Sequence, residues 1–216
     1  MKSATRIVVS TMGAIAGLAG IEHGVGEILQ GNVAPESIVI ESWPDAEAYR
    51  ILAGEPAMTL IPNLLVTGIL AVLVSLLFAL WAVVFIERKH GGLILILISI
   101  LLLLVGGGFG PPLLGIILGS AATKIGRPLT GWRTRVSVKA RSFLAALWPY
   151  ALAACALGFL SMFPGLVIVG SFVSLENSDI MLFLPPFCFA TLFLAILTAL
   201  AYDSLHGEVA KRQGAH

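Results

Sequence analysis

From Pro56 to Ile86 the chain carries no charged side chain. A stretch this apolar and this long has no polar face to turn toward water. As a helix it exceeds the roughly 30 Å hydrocarbon thickness of a bilayer, with length to spare for tilt. Lipid is the solvent that tolerates such a segment, because a helix satisfies its own backbone groups there. Similar runs recur along the chain: Ile7 to Leu29, Gly91 to Val105, Leu113 to Thr123, Phe143 to Phe172 and Ile180 to Tyr202. Hydrophobic residues make up 58% of the 216 positions and charged ones 12%, with a mean hydropathy of +0.98. Too few polar residues remain to cover a water-soluble domain. The expected architecture is therefore all-α: one polytopic transmembrane helix bundle over residues 1–216, embedded in a prokaryotic plasma membrane.

The distribution of charge sets an orientation. Basic residues cluster at Lys2/Arg6, Arg88/Lys89, Lys124 to Arg141 and Lys211/Arg212, and of all 13 Lys and Arg only Arg50 lies elsewhere. Acidic residues mostly occupy the other connections, at Glu36, Glu41, Asp45, Glu47 and Glu55, and again at Glu176 and Asp179. By the positive-inside rule the basic connections and both termini are cytoplasmic, and the acidic connections face outward.

The region 91–123 requires a choice. As one helix it would measure roughly 50 Å and would strand the basic segment outside. A hairpin that turns at Gly106-Gly107-Gly108-Phe109-Gly110-Pro111-Pro112 meets both constraints; a re-entrant second arm is the competing reading. The hairpin yields about six spans, near 7–29, 57–86, 91–106, 111–123, 143–170 and 180–202. Pro164-Gly165 is expected to kink the fifth. The outer loop 32–55 is expected to hold a short interfacial helix, opened by Ser42-Trp43-Pro44-Asp45 and stopped by Gly54, with Trp43 and Tyr49 at the membrane surface. Ala14-Ile15-Ala16 before Gly17 resembles a signal-peptidase site, but apolar residues continue well beyond it.

The first span carries the most informative side chains. Gly13, Gly17, Gly20 and Gly24 fall on one helical face and permit close approach of another helix. That approach serves packing within the bundle or, alternatively, contact with a second copy or a membrane-protein partner. Glu22, His23 and Glu27 stand on the same helix. His23 and Glu27 share a face beside the glycines, while Glu22 points nearly opposite. Counting from Arg6, Glu22 stands about 24 Å up the helix, in the outer part of the core. An ionisable group at membrane depth is costly unless it is paired or used. Glu22, His23 and Glu27, with Asn63 and Thr67 from the second span, form the candidate ligand site for a cation or proton. If the helix sits higher, the same groups are simply wetted by the outer interface.

Other chemistry has little in its favour. His90, His206 and His216 lie on the opposite side from His23, so four ligands for a closed zinc site do not converge in the sequence, and no cofactor is indicated. Cys155 and Cys188 sit within apolar runs as buried thiols. His-Glu-x-x-His, Gly-x-Ser-x-Gly, Walker and Rossmann signatures are missing, which weighs against an enzyme. The basic loop with Trp132 suits anionic headgroups, and nothing in it specifies nucleic acid. The leading expectation is binding or transport of a cation or proton from the outer face. The alternatives are an accessory or scaffold subunit of a membrane complex and, more weakly, an intramembrane enzyme acting on lipid.

Overall fold

The computed structural model describes residues 3–44, 54–163 and 179–213. Among them are seven helices and one two-stranded sheet. Helix α1, Ala4–Gln30, begins where Ser3 caps the first turn by accepting from the Arg6 amide, and ends where Gly31 takes φ +88°. It is the axis of the bundle: most of its circumference is covered by neighbours, including the whole glycine face. Helix α2, Leu64–Leu80, continues through a π turn at Trp81–Phe85. Helices α3, Gly91–Leu104, and α4, Gly110–Ala122, form a pair joined by residues 105–109. A short α5, Thr130–Arg135, precedes α6, Val138–Met162, and the chain closes with α7, Asp179–Gln213.

Four helices are long and apolar enough to cross a membrane: Ala4–Gln30, Leu64–Phe85, Val138–Met162 and the Phe183–His206 portion of α7. The paired helices α3 and α4 are apolar but shorter, at 14 and 13 residues, about 20 Å each.

Small residues decide which helices touch. A Cβ at Gly17 would lie 2.6 Å from the Ala79 Cβ and 3.1 Å from the Ser75 carbonyl. Gly13 meets Ala82, Gly20 meets Ser75, and Gly24 and Gly68 interlock backbone to backbone. Lipid tails supply no hydrophobic drive toward helix association, so this close van der Waals contact is what binds α1 to α2. The glycine face is thus covered by α2 within the chain. Gly92 and Gly119 make the equivalent contact between α3 and α4. On the other side of α1, α6 and α7 pack through Cys155, Cys188, Phe159 and Phe189, and the Cys155 thiol reaches the Met12 sulfur at 3.6 Å.

One end of the bundle is tied by polar contacts between distant segments. The Asp203 carboxylate accepts from the Ser3 hydroxyl and from the amides of Ala4 and Thr5, which stabilises the dipole-positive end of α1. Arg6 pairs with Glu87 at 2.9 Å, and Arg133 donates to the Ser204 carbonyl.

Several expected boundaries move. The second span was expected from residue 57, but Pro56–Met58 is strand β2 and the helix waits until Leu64. Proline at 56 and 62 cannot donate, and the Asn63 side chain caps the helix by accepting from Val66. Strand β2 pairs antiparallel with β1, Val39–Glu41, so the loop expected on the outer side contributes sheet as well. Ser42, Trp43 and Pro44 are bend and turn rather than helix; the rest of the expected interfacial helix and Pro164-Gly165 lie outside the described residues. The fifth apolar run starts its helix earlier, at Val138, with Ser137 as cap, and the last runs as one helix from Asp179 through Pro185-Pro186.

Candidate functional site

At the far end of α1 from Asp203, three chain segments converge on the polar residues of that helix. The first is the strand pair. Beyond its own ladder, β2 extends across to the turn between α3 and α4: Thr59 bridges Val105, the Gly106 amide donates to Met58, and the Leu60 amide donates to Leu104. The second is that turn itself, where Gly106 and Gly108 adopt φ of +93° and +75°, conformations that disfavour a side chain. The third is the bend after β1, held to α1 by Gln30, whose amide donates to the carbonyls of Glu41 and Ser42.

Glu27 is fully buried in this junction. Its Oε1 accepts from the Ser42 hydroxyl at 3.4 Å, while Oε2 has no hydrogen-bond partner among the described residues. The backbone of Gly106 covers the carboxylate so closely that a Cβ there would lie 2.5 Å from both oxygens. His23, one turn earlier, is 4% exposed. Gly108 packs directly on its ring, its Nδ1 lies 3.1 Å from the Ser42 hydroxyl, and its Nε2 lies 3.5 Å from Glu55 Oε2. Glu55, itself 3% exposed, is hydrogen-bonded in turn to Glu22. Burial, then the neighbouring Glu22 charge and that hydrogen bond, push the Glu55 carboxyl up to about 8.

These contacts form a chain of proton-bearing groups: Glu22, Glu55, His23, Ser42, Glu27. Because the Ser42 hydroxyl donates to Glu27, it accepts from Nδ1–H of His23. That tautomer leaves the Nε2 lone pair facing Glu55. The Ser42–Glu27 bond at 3.4 Å is long, and the His23–Glu55 approach at 3.5 Å falls short of a hydrogen bond, leaving Glu55 Oε2 without one among the described residues. A shift of a few tenths of an ångström brings both to ordinary length. Among the described residues, no Lys or Arg forms an ion pair with Glu27 or Glu55. No group of three His, Cys, Asp or Glu among them is arranged to hold a metal ion.

Of the residues expected at the site, Glu22, His23 and Glu27 are brought together. Glu22 joins through Glu55 despite pointing to another face of α1. Thr67 lies one layer away: its hydroxyl donates to the Val105 carbonyl and contacts Thr59, which fixes the residue before Gly106. Asn63 is not in the cluster. It caps α2 and donates to the Asn32 side chain, so its polar groups serve the loop. Ser42, Glu55, Gly106 and Gly108 were not anticipated at the site. The sequence signal for Glu55 is its place between Gly54 and Pro56, and the residue takes φ +55° there.

No known protein family, curated protein or solved structure matches this chain.

Proposed function

We propose that this chain is a multi-pass membrane protein that binds, or moves, a proton or cation at the outer end of α1, with the proton favoured. The observation that carries this reading is the continuous contact from Glu55 through His23 and Ser42 to the enclosed carboxyl of Glu27. A proton leaving Glu55 attaches to Nε2 while Nδ1 releases one to Ser42, whose hydroxyl proton passes to Glu27. The net result is Glu55 ionised, Glu27 neutral and the imidazole in its other tautomer. An enclosed carboxylate that no Lys or Arg among the described residues pairs with calls for compensating positive charge, which a proton supplies in least space. No three-ligand metal grouping among the described residues competes with it.

Six spans with both termini cytoplasmic suit this function best. The Arg6–Glu87 pair and the Asp203 cap gather the basic turns at one end, as the positive-inside rule prefers for the inner face. The paired helices α3 and α4 supply two further crossings if their shared turn lies at the level of Glu27. The cluster then faces outward.

The test is proton uptake by purified protein in liposomes carrying an internal pH-sensitive dye, with acid pulses applied outside. Wild type should acidify its lumen or buffer the pulse, and Glu27→Gln and Glu55→Gln should each remove that response. Equal responses from wild type and both variants would sink the proposal. A response to one metal cation but not to protons would transfer the site to that cation.

A further inference from the structure

At the opposite end of the bundle, two turns far apart in sequence border one cleft of about 530 Å³. The turn after α2 brings Arg88, Lys89 and His90, and the turn after α4 brings Arg127. All four side chains are exposed. The only acid on the rim, Glu87, is engaged by Arg6 at 2.9 Å. Among the described residues, none of Arg88, Lys89 and Arg127 forms an ion pair, so the cleft gathers cations whose charge the protein does not balance. The floor includes the first turn of α3, where His90 holds the cap position with φ +61° and gives no side-chain bond to the amides that follow. Apart from Thr123 the remaining wall is apolar, and Leu93, half exposed, continues it along the outside of α3.

We infer that this cleft binds the phosphate headgroup of an anionic phospholipid, with the acyl chains lying along α3. The cations and the uncapped turn of α3 suit a phosphate, and guanidinium groups bind phosphate oxygens in pairs. The apolar wall separates a lipid from a free anion, because only a lipid fills both the charged rim and the Leu93 side. The site is independent of the Glu27 cluster and stands whether or not that cluster handles protons.

The experiment measures thermal stability and native mass spectra of detergent-purified protein with phosphatidylglycerol, phosphatidylcholine or inorganic phosphate added. Phosphatidylglycerol should raise the melting temperature and remain bound to the wild type. Arg88→Gln combined with Arg127→Gln should weaken retention about twenty-five-fold, at about fivefold per removed cation. Arg135→Gln, a control away from the cleft, should change nothing. Equal retention by wild type and the double variant would overturn the assignment. Equal stabilisation by inorganic phosphate would overturn the lipid as its source. If the double variant melts early without lipid, the single Arg127→Gln variant decides by mass spectrometry, with undiminished retention counting against the site.

Discussion

The Gly106 backbone lies on the carboxylate of Glu27, leaving 2.5 Å between either oxygen and the place a Cβ would occupy. Two segments separated by most of the first three helices are thereby made to fit each other. Gly106→Ala should destabilise the protein twice over, through its φ of +93° and through collision with Glu27. Gly126 provides the comparison, since it has φ +70° but nothing within 4 Å of a Cβ. Gly126→Ala should cost about 1 kcal/mol of backbone strain and Gly106→Ala clearly more. Equal losses in melting temperature would show that the Glu27 contact is slack.

Stability should depend on pH through Glu55. Its folded-state carboxyl is raised from 4.5 to about 8, so the folded protein prefers the protonated form. The associated stabilisation is complete below about pH 4.5, fades as pH rises toward 8, and is gone above it. Melting temperature should therefore fall from pH 5 to pH 8, and Glu55→Gln should flatten the curve. A wild-type profile that stays level over this range would contradict the burial of Glu55.

Asp203 binds the start of α1 to the last helix through one hydroxyl and two amides. Asp203→Asn keeps the shape but loses the charge and part of the acceptor capacity. A loss of about 1–2 kcal/mol is expected, comparable to removing a helix cap. Chemical denaturation in mixed micelles would register it.

Gly17 faces Ala79 and the Ser75 carbonyl with no room for a larger side chain. Gly17→Val should separate α1 from α2 and cost about 2 kcal/mol or more by overpacking. Gly131→Val, where nothing lies within 4 Å, should leave the melting temperature near that of wild type.

The sequence announces long apolar helices clearly, because lipid demands uncharged runs and α1, α2, α6 and α7 are built from them. Gly13 through Gly24 could be placed on one face from spacing alone, although which helix they meet could not. Glu22, His23 and Glu27 stand out in the sequence because charge inside an apolar run is expensive. The rest of the cluster was hidden for two physical reasons. Strands of three residues, Val39–Glu41 and Pro56–Met58, are too short to show alternation, so the hairpin that delivers Ser42 and Glu55 left no periodic trace. Gly106 and Gly108 read as a turn, and a turn's sequence does not say what lies against it. Asn63 is ambiguous in the sequence, because an amide at the start of an apolar helix serves equally well as a ligand or as the cap it is in the structure.

The brevity of α3 and α4 has a mechanical consequence. At about 20 Å each, they fall well short of the roughly 30 Å hydrocarbon layer. Where they stop, the hydrogen-bonded edge at Met58–Leu60 reaches down to meet them. The bundle therefore presents a narrower hydrophobic girdle on this flank than around α2 or α6. With both arms crossing as proposed, a bilayer would thin locally to match it, at a cost that grows with acyl-chain length. On that proposal, membrane thickness would act as a load on the turn that covers Glu27.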